Sequence, residues 1–341
     1  MTSKNSGGNR YLQLDRFLID MQISFIPYQL IDKEKWNNCV AVSSNGLVYA
    51  QSIYLDHMAD HWDGLVMNDY EAVMPLTWKQ KMGIRYLYQP AFFQQGGIFS
   101  ASAITVEMVD AFISAAKKYF PFAECTLNYG NPAPTSVSFE MRNNYLLQFN
   151  QFLSADIENE YLKQRIKRAE KFNLRYANSD DIEASVVLYQ QLYHHRISGF
   201  RSADFNRFID LCSLLQKENK ILIRTVFEAD TLLASALFIV DNNRLYNLAS
   251  CLLAEGKSKL ANYFLIHQLM KEFEHTDIVL DFEGSDVEGI AYFYQKWATA
   301  EQPYLFISWN HLPKTIQLLR RLFSYFQKTF AFLNPKFMKR N

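Results

Sequence analysis

The run DIVLDFEGSDVEGIAYFYQKW, residues 277–297, gathers side chains able to handle an amine or a carbonyl-bearing substrate. Asp281 and Glu283 lie two positions apart, so a strand continuing through both would direct the two carboxylates to one sheet face. Either could hold an amine or take its proton. The competing account is an acidic turn that caps the following helix through Ser285 or Asp286. Tyr294 and Lys296 fall on that helix, where they could meet a leaving group or a phosphate, with core packing as the other reading of Tyr294. An apolar strand, Ile278 to Leu280, leads into the turn, and a final strand follows the helix. Open α/β sheets build ligand sites at such strand ends.

Other groups are candidates to flank this centre. Gln89, Gln94 and Gln95, with Tyr86, Tyr88, Phe92 and Phe93, form an amide and aromatic cluster ending in Gly96-Gly97. Rings that stack and amides that give direction would suit a sugar or peptide acceptor, although a glycine-bulged strand has the same composition. His195 and Arg196 end a helix beside Ser198, Gly199 and Phe200, where they could border an acceptor groove or simply complement the helix dipole. His57 and His61 are spaced for metal ligation if helical, but no third ligand accompanies them and no metal is expected.

Composition narrows the classes. Thirty-five basic and 35 acidic residues cancel, so nothing global draws the chain to nucleic acid or membrane, and no DNA partner is expected. At 341 residues and 49% apolar, the chain is long enough for two ordinary domains, with 27 Phe and 20 Tyr to fill cores or line grooves. Cys39, Cys125, Cys212 and Cys251 form no CxxC, and read as buried thiols of a reducing compartment. No apolar run is long enough to cross a bilayer, so a cytoplasmic location is expected.

Those elements recur. Between Tyr70 and Gly130 the order is strand, strand, helix (Thr105 to Phe120), strand, with Val106, Val109, Phe112, Ile113 and Ala116 at helical spacing. The order returns from Thr231 to Ser285, its helix running from Ser258 to Phe273 with Leu265, Leu269 and Phe273 at successive turns. The repetition implies duplicated mixed α/β domains. The expected division is a flexible 1–10, a first domain over 11–150 without catalytic function, a second over 151–313 carrying the site, and a basic amphipathic helix over 314–341. In that last segment Ile316, Leu319, Phe323, Phe326, Phe330 and Leu333 form a stripe opposite Lys314, Arg321 and Lys328. Such a helix could lie at an anionic membrane surface or pack on the protein.

YLKQRIKRAEKFNLRY and DFEGSDVEGIAYFYQKW resemble the GNAT superfamily of acyltransferases, in the double-domain form of the Fem-type peptidoglycan aminoacyltransferases. YLDHMADHWDGLVMNDYEAVMPL and YQPAFFQQGG are similar to an uncharacterised bacterial branch of the same group, and the likeness spans about Tyr28 to Pro313. The resemblance implies tandem GNAT-like domains and transfer from acyl-coenzyme A or aminoacyl-tRNA to an amine of a cell-envelope or small-molecule precursor. No permanently bound cofactor is implied. Coenzyme A-dependent members carry a Q/R-x-x-G-x-G/A loop, where this chain has Gly256-Lys257-Ser258-Lys259-Leu260-Ala261, and only Ala261 fits. Lys257 and Lys259 could bind phosphate directly, but Lys259 stands where glycine would let a pyrophosphate approach the backbone. That departure leaves room for a non-catalytic binding protein as the alternative.

Overall fold

The computed structural model describes residues 21–151, 157–196, 199–284 and 287–317. The chain forms two compact units. The first takes the residues up to Pro90, 95–140 and 305–309, and the second takes 91–94, 141–304 and the residues from Asn310 onward.

The first unit contains β1 (Ile23–Ile26), α1 (Lys33–Val42), α2 (Ser52–Met58), β2 (His61–Met67), β3 (Ala72–Lys81), β4 (Ile84–Leu87), β5 (Phe99–Ser100), α3 (Val106–Lys117) and β6 (Phe122–Leu127), with β7 (Ser138–Arg142) at its end. Strands β1 to β4 run antiparallel in sequence order, and α3 then carries the chain over to β6, which lies parallel to β4 with Leu87 opposite Ala123. Thr105 opens α3 by accepting the Met108 N–H at 3.2 Å. The helix buries Met108, Val109, Phe112, Ile113 and Ala116. Val106 stays half-buried, so the expected face is shifted by one side chain at its first turn.

The second unit contains β8 (Tyr145–Gln148), α4 (Glu160–Ala169), β9 (Leu174–Ser179), α5 (Ile182–Tyr193), α6 (Ser202–Lys217), β10 (Ile221–Glu228), β11 (Thr231–Asp241), β12 (Arg244–Leu252), α7 (Ala254–Ser258), α8 (Ala261–Phe273), β13 (Val279–Asp281), α9 (Glu288–Trp297) and β14 (Ala300–Glu301). Its sheet runs β14-β8-β13-β12-β11-β10-β9, with only β12 and β13 parallel. Phe264, Leu265, Ile266, Leu269 and Met270 of α8 pack on Ala234, Ala236 and Phe238 of β11. Full burial of a side chain such as Leu269 stabilises by about 1.5–3 kcal/mol. Each unit thus repeats an antiparallel run followed by a parallel pair across a helix, a mixed α/β fold duplicated as its repeated pattern implies.

The division differs from contiguous domains at 11–150 and 151–313. β8 sits in the second sheet, between β13 and β14, while the last strand, β15 (Tyr304–Asn310), sits in the first sheet between β6 and β7. Backbone groups of a strand must be paired wherever a sheet edge accepts them. That requirement acts on registers far apart in sequence. Residues 1–10, and 318–341 of the C-terminal segment, lie outside the described residues.

Candidate active site

β12 and β13 pair over only three registers, Arg244 with Val279, Leu245 with Leu280 and Tyr246 with Asp281. β12 then continues to Leu252 against β11, while β13 ends. The parallel strands therefore part at their C-terminal ends, leaving a gap in the sheet. Beside it, β12 is bulged: Ala249 opposes Leu237 and Asn247 opposes Phe238, so Leu248 has no opposite residue. A bulge leaves one residue out of the ladder, and such backbone is suited to meeting a ligand carbonyl.

Asp281, only 1% exposed, closes the paired part of the gap. Its Oδ1 accepts the Asn144 amide at 2.9 Å and the Glu283 backbone N–H at 2.9 Å, and its Oδ2 accepts Arg244 Nη1 at 2.8 Å. Arg244 also reaches Gln302 Oε1 at 3.1 Å. The carboxylate thus ties the start of β12, the end of β13 and the residue preceding β8. Because the strand stops at Asp281 and Glu283 turns left-handed at φ 64°, the expected placement of both carboxylates on one sheet face does not occur. Gly284 is also left-handed, at φ 57°, and a Cβ there would lie 2.5 Å from Asn143 O. The turn accordingly requires glycine.

Tyr294 stands among aromatic groups, with Glu283 close enough to act on it electrostatically. The Tyr294 ring stacks on Phe282 with centroids 4.7 Å apart, and the rings of Tyr189 and Tyr193 on α5 lie 5.3 Å apart. Burial, followed by the influence of Tyr189, Tyr193 and Glu283, holds the Tyr294 hydroxyl well above the ordinary phenol range. Tyr189 is raised too, by burial first and then by Cys251 and Tyr193. Burial pushes the Cys251 thiol up to about 12. The arrangement offers neutral phenol donors and, besides the tied Asp281, the Glu283 carboxylate beside the parted strands. It offers no thiolate. Tyr193 anchors the floor, its hydroxyl accepting the Leu252 N–H at 3.3 Å.

The segment that would hold a pyrophosphate has another structure. A single helix over 258–273 was the expectation, but the chain breaks at Leu260, left-handed at φ 59°, between α7 and α8. Gly256 lies in α7 because the helix presses on β11, where a Cβ would meet Leu233 O at 2.2 Å. The N–H groups of Lys257, Lys259 and Leu260 are taken by Leu253, Glu255 and Lys257 carbonyls. Lys259 Nζ pairs with Glu228 and with Glu255 Oε1, the latter at 2.7 Å. Those carboxylates raise its pKa. Ser258 Oγ donates to Glu255 O at 2.7 Å, and Ala261 is buried in the core. Gly256, Lys257 and Ser258 therefore lie in a helical turn that ends at Lys259, and Ala261 opens α8 after the break.

The remaining candidates are dispersed. Gln94 belongs to the second unit, buried, its amide 3.4 Å from Asn144 Oδ1, whereas Gln89 and Gln95 belong to the first. Phe92 is core of the second unit, stacked on Phe208 at 4.0 Å. Lys296 lies over the Tyr292 ring at 4.5 Å, on the side of α9 away from Tyr294. His195 is exposed, Arg196 ends the short turn after α5, and Ser285 lies outside the described residues. α2 ends at Met58 and His61 starts β2, so His57 and His61 share no helix face. Among the described residues no cluster of three metal-ligating side chains occurs. Tyr189, Arg244, Cys251 and Asn144 carried no motif that would have marked them in the sequence.

No protein-family model matches the sequence, and no curated protein matches it. The structure is similar to FemX at 13% identity and a TM-score of 0.58, covering 88% of this chain and 99% of that one. It is similar to the C-terminal DUF2156 domain of a proposed lysylphosphatidylglycerol synthetase from Agrobacterium fabrum at 12% identity and a TM-score of 0.55, covering 85% and 95%. It is also similar to L-PGS from Bacillus licheniformis at 13% identity and a TM-score of 0.50, covering 85% and 96%. Two repeated mixed sheets, each containing a parallel pair, together with these likenesses, give this chain a Fem-like double GNAT fold.

Proposed function

We propose that this protein transfers an acyl or aminoacyl group from an activated donor to an amine, at the gap where β12 and β13 part. The observation that carries the reading is the conjunction of that gap, the bulge at Leu248 and the Glu283 turn in one unit. The amine nitrogen attacks the donor carbonyl carbon, a C–N bond forms and the carbonyl's bond to the leaving oxygen or sulfur breaks. One proton leaves nitrogen and one joins the leaving atom. Glu283 holds the amine and accepts its proton, while Tyr294, kept neutral by its raised pKa, donates a hydrogen bond to the leaving atom. Positioning supplies much of the acceleration, so no covalent nucleophile is needed.

The helical turn at 254–258 and the pairing of Lys259 favour aminoacyl-tRNA over acyl-coenzyme A. Lys163, Arg165, Lys167 and Arg168 on α4 supply cations for a polynucleotide donor. Among the described residues no helix is long and apolar enough to cross a membrane; the free cysteines support a reducing compartment, the cytoplasm, with 314–341 either packed on the protein or touching a membrane surface. The same closed turn supports a second reading, a binding protein without turnover. The test is transfer of labelled aminoacyl groups from charged tRNA to a panel of amines, beside melting curves with coenzyme A. Glu283→Gln should lower kcat about 100-fold or more while leaving the melting temperature unchanged. Wild-type protein that binds amines and charged tRNA but transfers nothing would establish the second reading, and a saturable coenzyme A shift would overturn the donor assignment.

A further inference from the structure

Residues 91–94 lie between β4 and β5 in sequence but belong to the second unit. Phe92 anchors them to α5 and α6. Its ring stacks on Phe208 at 4.0 Å, with Phe200 at 5.1 Å, Phe205 at 5.6 Å and Tyr189 at 6.0 Å. Phe92 is left-handed at φ 55°, which a bulky side chain rarely adopts, so this packing holds a strained backbone. α5 also carries Tyr193, bonded to Leu252 at the end of β12. Two residues beyond Phe92, Gln94 reaches the turn that follows β13. A Cβ on Gly284 would come 3.1 Å from Gln94 Nε2, and the same nitrogen is 3.4 Å from Asn144 Oδ1. The polar groups beneath it are ordered end to end. Asn144 Nδ2 donates to Asp281 Oδ1, which leaves Asn144 Oδ1 to accept from Gln94. Asp281 Oδ1 also accepts the Glu283 N–H. Gln94, Asn144 and Asp281 are 7%, 0% and 1% exposed, so water does not readily replace a lost partner.

We propose that Gln94 is a positioning residue of the transfer site: it holds Asn144 and Gly284, and through them the left-handed turn that presents Glu283. Phe92 is the anchor that keeps Gln94 in place. The inference rests on the role given to Glu283 above. It assigns Gln94 to the turn, where the sequence suggested a contact with the acceptor.

Gln94→Met keeps the volume beside Gly284 and removes the amide, while Gln94→Asn keeps an amide on a shorter stem. Each is made in the wild type and in Glu283→Gln. The full chain is then assayed by transfer from charged tRNA to the most active amine of the panel above, and by hydrogen exchange of a peptide covering 279–284. In the wild type kcat should fall about 3-fold to 10-fold, the worth of one neutral hydrogen bond, with the KM for the amine unchanged. In Glu283→Gln the same substitution should change kcat by less than about 2-fold, because a residue acting only through Glu283 has nothing left to position. An equal loss in both backgrounds overturns the proposal. A raised amine KM at constant kcat also overturns it, and makes Gln94 an acceptor contact. Exchange at 279–284 should rise about 3-fold to 10-fold while peptides of β10 and β11 keep their wild-type rates. An unchanged rate overturns the positioning even in a protein that transfers nothing. A wild type without transfer, in which the substitution still speeds exchange, removes the transferase reading and leaves Gln94 as the support of the turn.

Discussion

Replacing Asp281 by alanine should destabilise the second unit by about 3 kcal/mol. The carboxylate is 1% exposed and accepts from Arg244, whose side chain is only 16% exposed, so water screens the pair poorly. Removing one partner of such a pair costs about 3–5 kcal/mol, because the other charge is left buried. Arg244 keeps Gln302 as an acceptor, which argues for the lower end of that range. The Asn144 amide and Glu283 N–H also lose their acceptor, at about 1 kcal/mol or more each if unsatisfied. Asp281→Asn keeps an oxygen for those donors and should cost roughly 1–2 kcal/mol. With two units present, a single unfolding free energy is unsafe, so the assay is native-state hydrogen exchange of peptides covering β12 and β13. A double-mutant cycle with Arg244→Ala isolates the pair, and the expected coupling is about 1.5–3 kcal/mol. A coupling below about 0.5 kcal/mol would refute the view of Asp281 as the tie between these strands.

Three further expectations follow from the same structure. Glu272 accepts from Arg224 and from Tyr176 at 2.6 Å; burial opposes its ionisation, but those hydrogen bonds outweigh it and hold the carboxyl below the usual range. Its contribution is therefore present above the unfolded pKa and lost as pH falls through the folded one, so the stability gap between wild type and Glu272→Gln should close in acid; a gap constant to pH 3 would contradict this. Gly256→Ala should cost about 1–3 kcal/mol by native-state hydrogen exchange of peptides covering β11 and β12, since its Cβ would sit 2.2 Å from Leu233 O, and a loss under about 0.5 kcal/mol would mean that α7 moves freely. Cys251, with its thiol raised to about 12, should resist iodoacetamide at pH 8 until the protein unfolds, and Cys251→Ser should retain transfer; rapid native labelling would show a thiolate in the site.

The sequence by itself determined what depends on local period and local turn chemistry. The 3.6-residue spacing of Val109, Phe112, Ile113 and Ala116 and of Leu265 and Leu269 fixes two helices and their buried faces, and the repeated order of elements fixes the duplication. The strand, acidic turn and helix from 278 to 297 were legible for the same reason, within a residue or two. Tertiary structure decided what depends on distant partners. Asn144 meets Asp281 across 137 positions and Arg244 meets it across 37, so the carboxylate ties strands that the sequence does not place together. Glu283 is left beside Tyr294 because its backbone turns left-handed where the strand's pairing ends. Residues 254–258 form a helical turn in which Gly256 lies against Leu233, an approach that no local pattern records. β8 and β15 exchange sheets because backbone hydrogen bonding is satisfied by whichever edge folding presents, and sequence distance carries no information about that edge.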